Sequence, residues 1–221
     1  QILPSRPREQ NAMWSKVGRI LRGDANFRRF LVARLIGNLS TMGTGFVTVV
    51  ALQRWQVSDG TVGLFTIALL TGQTIGTLLA GLVADRFGHK PVFMLAYLIN
   101  TLAFVLAWQA PSSFGFYGIF GLIGVGMGML TVSNVLSAME FSLPVHRPTY
   151  VGLANTANGI GITLAPLVGG LLATISYDWL FVSSAVAGVV ALALLYGQVA
   201  DPRFQPSFFA VDGELEAALG E

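Results

Sequence analysis

The chain has 221 residues, of which 53% are hydrophobic and only 11% charged, with a net charge of +2. Soluble domains carry about 25% charged residues, and glycine, present 26 times here, is commoner in membrane helices, so the composition excludes an ordinary soluble domain and points to an integral membrane protein. The absence of cysteine excludes a disulfide framework, a thiolate metal site and a cysteine nucleophile.

The chain opens on Gln1, with no basic segment leading into an apolar one. It is therefore expected to be trimmed at this end or to be a piece of a longer chain. In "AMWSKVGRILRG", Met13, Trp14, Val17, Ile20 and Leu21 share one helical face and Lys16, Arg19 and Arg22 the other. That pattern predicts a helix lying on an anionic leaflet; the alternative is an amphipathic linker packed on protein.

A membrane helix needs about 20 mostly apolar residues. Arg34 to Arg54 and Asp59 to Asp85 each enclose one span. Lys90 to Glu140 encloses 49 uncharged residues, which as helix would run about 74 Å, so the chain must turn back there. "QAPSSFG" at 109–115 supplies the turn residues. The set is six helices near 30–53, 60–84, 91–110, 114–139, 148–175 and 179–199. Three regions follow: a basic lead-in or linker at 1–29, a six-helix membrane domain at 30–199, and a tail at 200–221. The tail carries Asp212, Glu214, Glu216 and Glu221 and is expected to be a mobile cytoplasmic end.

Basic residues orient the spans. Arg6, Arg8, Lys16, Arg19, Arg22, Arg28 and Arg29 precede the first span, and Arg86, Lys90, Arg147 and Arg203 fall on the same side. The other side has only Arg54, so both termini are expected in the cytoplasm. Gly81-Leu82-Val83-Ala84 is echoed by Gly170-Leu171-Leu172-Ala173 at an offset of 89 residues, which is three spans. An odd number of crossings inverts the second copy, giving two inverted three-helix repeats of the kind found in transporters.

Three motifs now resemble the major facilitator superfamily. The first is "GLVADRFGHKPVF", where Gly81, Asp85, Arg86, Gly88 and Lys90 match the loop pattern G-x-x-x-D-R-x-G-R-[RK], with His89 in place of an arginine. The second is "GLANTANGIGITLAPLVGG", whose Gly152, Gly161, Pro166, Gly169 and Gly170 resemble the antiporter helix pattern, with Ala165 replacing a glycine. The third is "EFSLPVHRPTY", similar to the short loop E-x-x-P-x-x-x-R. The resemblance covers residues 25–203. The family has twelve helices in two halves, so the six here imply one half. The "APLVGG" helix, the "DPR" end and the basic lead-in favour the C-terminal half.

The resemblance implies a conformational gate in the loop of Gly81, Asp85, Arg86, Gly88 and Lys90, with Arg147 nearby. Asp85 ends a helix, where the macrodipole disfavours its charge, so it is expected to find Arg86, Arg147 or another helix N-terminus. The bland alternative is a loop that only anchors two helices at the headgroups. The resemblance also implies that the first, second, fourth and fifth helices line a cavity. That favours Asn38, Gln73, Asn134, Asn155 and Asn158 as solute-lining residues and disfavours Asn100; helix-to-helix hydrogen bonding is the alternative. Arg34 is a base inside a span, a functional residue by default unless it snorkels to the interface. Pro166, with Gly161, Gly169 and Gly170, predicts a helix bend. Gly115, Gly118, Gly121 and Gly124, and the Gly124–Gly128 pair, predict close helix packing.

His89, His146 and Glu140 lack ligand spacing, so no metal site is read; His89 is expected to be a solvated loop residue. Asp85, Glu140 and Asp178 lie at span ends, so a proton-driven mechanism would take its carrier from the other half. An intramembrane enzyme would need an acid, base or metal constellation at membrane depth, and none is visible. The reading is an all-α, six-span half of a secondary transporter moving a small solute by alternating access. It takes no cofactor and no nucleic acid; its partners are the lipid bilayer, the other six-helix half and the solute. The alternative is a six-helix channel or scaffold acting as a homo-oligomer.

Overall fold

The computed structural model describes residues 7–204, without the side chains of residues 7–14 and Val135. The tail acids Asp212, Glu214, Glu216 and Glu221 and the side chains of Met13 and Trp14 lie outside the described residues. Eight helices follow one another: α1 (Pro7–Gly23), α2 (Ala25–Leu39), α3 (Thr44–Trp55), α4 (Asp59–Phe87), α5 (His89–Gln109), α6 (Gly115–Glu140), α7 (Arg147–Ile175) and α8 (Tyr177–Gly197). A short turn of helix at Pro202–Phe204 ends the described chain. Six segments are long and apolar enough to cross a membrane, with α2 and α3 together making the first.

Side chains mark several of the ends. Asp24 caps α2 by accepting from the Phe27 amide at 2.8 Å, and Ser58 caps α4 by accepting from the Thr61 amide at 3.3 Å. Gly88 sits at φ 86° between α4 and α5, a conformation that suits glycine and lets two spans meet without a loop. The first span differs from the continuous helix expected over 30–53. It breaks at residues 40–43, where the Ser40 hydroxyl donates to the Gly37 carbonyl at 2.6 Å and the Thr41 hydroxyl to the Asn38 carbonyl at 2.7 Å. Those carbonyls also accept from the Ser40 and Thr41 amides, so each hydroxyl adds a second, local bond of the kind that competes with helix continuation.

Two cores fill the bundle. At the end bearing α1, Phe27 lies 4.5 Å from Tyr150, and Phe30 stacks on Phe141 at 4.8 Å between ring centroids. At the other end Phe65 stacks on Phe120 at 5.0 Å, and Phe104 on Phe181 at 6.2 Å. Ile20 of α1 is 1% exposed and belongs to the first core, so the last part of the lead-in packs on protein.

The tightest contact joins α4 to α6. A Cβ at Gly72 or Gly76 would run into the backbone of Gly121 or Val125, and one at Gly124 or Gly128 into that of Leu69 or Gln73. Two small-x-x-x-small pairs thus interlock, which lets the backbones touch and gain van der Waals contact that larger side chains would prevent. Gly115, Gly118 and Gly121 face open space, so the every-third-residue series is not the packing stripe; Gly124 and Gly128 are.

Candidate functional site

Two polar regions stand out in the bundle. The first is built at the α1 end, around the α4–α5 turn. Ending α4 leaves its last carbonyls without intrahelical donors. Arg203 adds donors there: Nη2 donates to the Ala84 carbonyl at 2.8 Å, beside the Gly88 amide that also donates to it, and Nη1 to the Arg86 carbonyl at 3.3 Å. Its Nε lies 3.7 Å from Glu140 Oε1. Glu140 in turn accepts from the His89 amide, with both oxygens at 3.4 Å, at the positive N-terminus of α5. One ion pair thus stabilises the end of one helix and the start of the next.

The expected partner of Asp85 is corrected by this geometry. Asp85 is exposed and makes no ion pair among the described residues, and the helix terminus it might have held is taken by Glu140. Arg86 is exposed, with its guanidinium 5.5 Å from the Phe87 ring, and Arg147 is exposed. Gly81 faces open space, whereas a Cβ at Gly88 would lie 2.6 Å from Arg203 Nε. His89 is also corrected: it is 9% exposed rather than solvated, and Nδ1 lies 3.2 Å from Ser133 Oγ.

Lys90 turns away from the carboxylates. Its Nζ donates to the Val199 carbonyl at 2.6 Å. Asn26 adds a paired contact to the same strap, donating to the Ala200 carbonyl at 3.0 Å and accepting from the Ala200 amide at 2.8 Å. The segment after α8 is therefore tied to α2, α4 and α5. The "DPR" that ends the resemblance contains this Arg203, whose amide donates to Asp201 at 3.0 Å; its role as a helix cap is visible only in the structure.

The second region is a polar strip where α2 meets α6 and α7. Arg34 is 1% exposed, so it does not snorkel. Its Nη2 donates to Asn134 Oδ1 at 2.8 Å, and its guanidinium lies 5.6 Å from the Phe30 ring and 5.5 Å from the Phe93 ring. One turn on, Asn38 donates to Asn158 Oδ1 at 3.2 Å. Interhelical hydrogen bonds of this kind contribute about 0.6 kcal/mol each in membrane proteins, so they position more than they stabilise. Asn155 is exposed on α7, and Gln73 stands apart on α4, against Gly128 of α6. The structure thus brings together Arg34, Asn38, Asn134 and Asn158, and leaves Gln73 outside the group.

On α7, Gly161 and Gly169 are buried against α2 and the 40–43 break: a Cβ at Gly161 would lie 2.7 Å from the Asn38 Cβ, and one at Gly169 2.7 Å from the Met42 carbonyl. Ala165, 3% exposed, continues that small-residue face. Gly170 faces open space, and Pro166 is exposed within a helix that runs on to Ile175. Among the described residues no group of three or more potential ligands is placed to hold a metal.

Comparison with known proteins agrees with the fold. The sequence profile of the Major Facilitator Superfamily matches residues 30–216. The chain is 27% identical over 164 residues to the Inner membrane metabolite transport protein YgcS of Escherichia coli strain K12, covering 72% of this chain and 37% of that one. It is 26% identical over 174 residues to the Tetracycline resistance protein, class H, of Pasteurella multocida, covering 76% of this chain and 43% of that one. It is 26% identical over 194 residues to the 3-(3-hydroxy-phenyl)propionate transporter of Escherichia coli strain K12, covering 86% of this chain and 45% of that one. The chain therefore spans less than half the length of each of these relatives.

Proposed function

The chain belongs to the Major Facilitator Superfamily, and we propose that it forms one six-helix half of a secondary transporter that moves a small solute by alternating access. The observation that carries this is the ratio of spans to length. The described residues hold six segments long and apolar enough to cross a membrane, in a chain that matches under half of the length of each of these relatives. Relatives named for transport of a metabolite and of 3-(3-hydroxy-phenyl)propionate favour a small solute over a macromolecule.

In this reading residues 30–199 are the half-transporter, 1–29 the basic lead-in or inter-half linker, and 200–221 the tail. The lead-in and the strap after α8 meet through Asn26 and Ala200, which supports placing both on one side of the membrane. The positive-inside bias makes that side cytoplasmic. The membrane lipid and the other half cover the apolar faces of α4 and α7, the two least buried spans at 22% and 17% of their most apolar windows. The α4–α5 turn, with Gly81, Asp85, Arg86, Gly88 and Lys90, acts as a gate together with Arg147 at the start of α7. Its hold in this conformation is the Arg203–Glu140 pair. The strip of Arg34, Asn38, Asn134 and Asn158 contacts solute. Pro166 removes one backbone donor from α7, which supports a bend there as the halves rock.

Uptake by sealed vesicles tests this reading. Vesicles carrying the complete polypeptide should accumulate a small solute, and vesicles carrying this chain alone should not. Conductance or uptake by this chain alone would replace the half-transporter with the homo-oligomeric channel.

A further inference from the structure

We propose that Arg34 is the docking point for a small organic monocarboxylate, bound end-on by its guanidinium at the α2–α6 contact. This rests on reading the polar strip as solute-contacting, and it adds the chemical class of the solute.

Arg34 is 1% exposed, yet it pairs with no carboxylate among the described residues. Its Nη2 meets only the neutral amide oxygen of Asn134, and its Nη1 is buried with no acceptor at all. The Phe30 and Phe93 faces offer weak cation–π attraction. A guanidinium stripped of water and left without a counter-charge is strongly disfavoured.

The described acids do not supply that charge. Glu140 is paired with Arg203 and Asp178 with Arg54. Asp24 accepts from the Phe27 amide and the Tyr150 hydroxyl, and Asp201 from the Arg203 amide. Asp59 and Asp85 stand exposed at opposite ends of α4. The missing anion therefore comes from outside these residues.

A carboxylate matches the unmet Nη1 donor and the unpaired charge of Arg34. It is planar and presents two oxygens to the guanidinium fork. It also carries one negative charge against one positive charge, where a phosphate dianion would leave an excess in the same dry space. Beside Arg34, Asn134 and Asn158 are half-buried, and Asn155 on α7 is exposed. A carboxylate arriving there reaches Nη1 while Asn134 keeps Nη2.

The test is thermal unfolding of the complete protein in detergent with benzoate, with its neutral isostere benzamide, and with inorganic phosphate. Benzoate should raise Tm saturably, and benzamide and phosphate should not. Arg34→Lys keeps the charge and loses the fork, and should weaken benzoate by about tenfold or more. Asn134→Asp places a carboxylate beside the guanidinium; it should raise Tm without ligand and abolish the benzoate shift, a result that misfolding cannot produce. Equal shifts with benzoate and benzamide, no shift with benzoate, a stronger response to phosphate, or a benzoate shift that survives Asn134→Asp would each overturn the proposal. Binding and transport fail separately: benzoate binding without uptake of any solute sinks the transporter reading alone, and uptake by a protein blind to benzoate sinks the carboxylate alone.

Discussion

Arg203 and Glu140 meet with Nε 3.7 Å from Oε1, directly under the turn that joins α4 to α5. The pair is flanked by hydrogen bonds from Arg203 to the Ala84 and Arg86 carbonyls and from the His89 amide to Glu140. The guanidinium is therefore a cap for one helix, and the carboxylate a cap for the next.

Replacing Arg203 by Gln should lower stability by about 1–2 kcal/mol. Hydrogen bonds to charged groups contribute about 1.5–3 kcal/mol, discounted here because the side chain is 31% exposed. Chemical unfolding measures the loss, and faster hydrogen exchange at the Gly88 and His89 amides locates it. A variant as stable as the parent, with unchanged exchange, would show that the cap is incidental.

Gly76→Val should disrupt the α4–α6 contact, because its Cβ meets the Val125 backbone rather than a movable side chain. Overpacking of this kind costs about 1–3 kcal/mol. Gly81→Val, on the same helix but facing open space, is the matched control for folding and should elute and melt as wild type. Size-exclusion profiles and melting temperatures separate the two; equal behaviour would rule out the interlocked glycine pairs.

Tyr150 donates to Asp24 Oδ2 at 2.8 Å while Asp24 Oδ1 caps α2. Tyr150→Phe should cost about 1–2 kcal/mol by leaving one carboxylate oxygen without its donor. Asp24→Ala should cost more, since it removes the cap as well. If both variants lose the same amount, the cap contributes nothing.

Asp85→Asn should leave expression and melting temperature close to wild type, since Asp85 is exposed and unpaired here. In the complete protein it should still slow uptake, because a gate residue acts through a conformation other than this one. Uptake at the parental rate would remove Asp85 from the gate.

Much of the architecture was legible because membrane spans are long, apolar and bounded by charge. The boundaries around Gly88 followed from charge, and the turn at "QAPSSFG" from the length of the uncharged run and its Pro, Ser and Gly. The break after Leu39 was not legible: "STMG" carries no charge and no proline, and the hydroxyl-to-carbonyl bonds at the end of α2 appear only once the backbone is placed. Among site residues, the one-turn spacing of Arg34 and Asn38 put both on one face, and the structure matched them to Asn134 and Asn158. Gln73 looked equivalent in composition, but it lies against α6 on another helix face. The choice of Glu140 over Asp85 as partner of the basic cluster was also hidden, because it depends on a segment more than sixty residues further along the chain reaching back to the turn.

The most direct test of the account is two-sided labelling of the polar strip. This chain contains no cysteine, so Asn158→Cys in the strip and Asn155→Cys beside it on α7 serve as single reporters once any cysteine in the rest of the complete protein is replaced by serine. In the complete protein, a membrane-impermeant thiol reagent should reach both positions from the outer face in one vesicle orientation and from the inner face in the other, with solute shifting the balance. Labelling from one face only, or protection from both, would contradict a solute path opened alternately to the two sides.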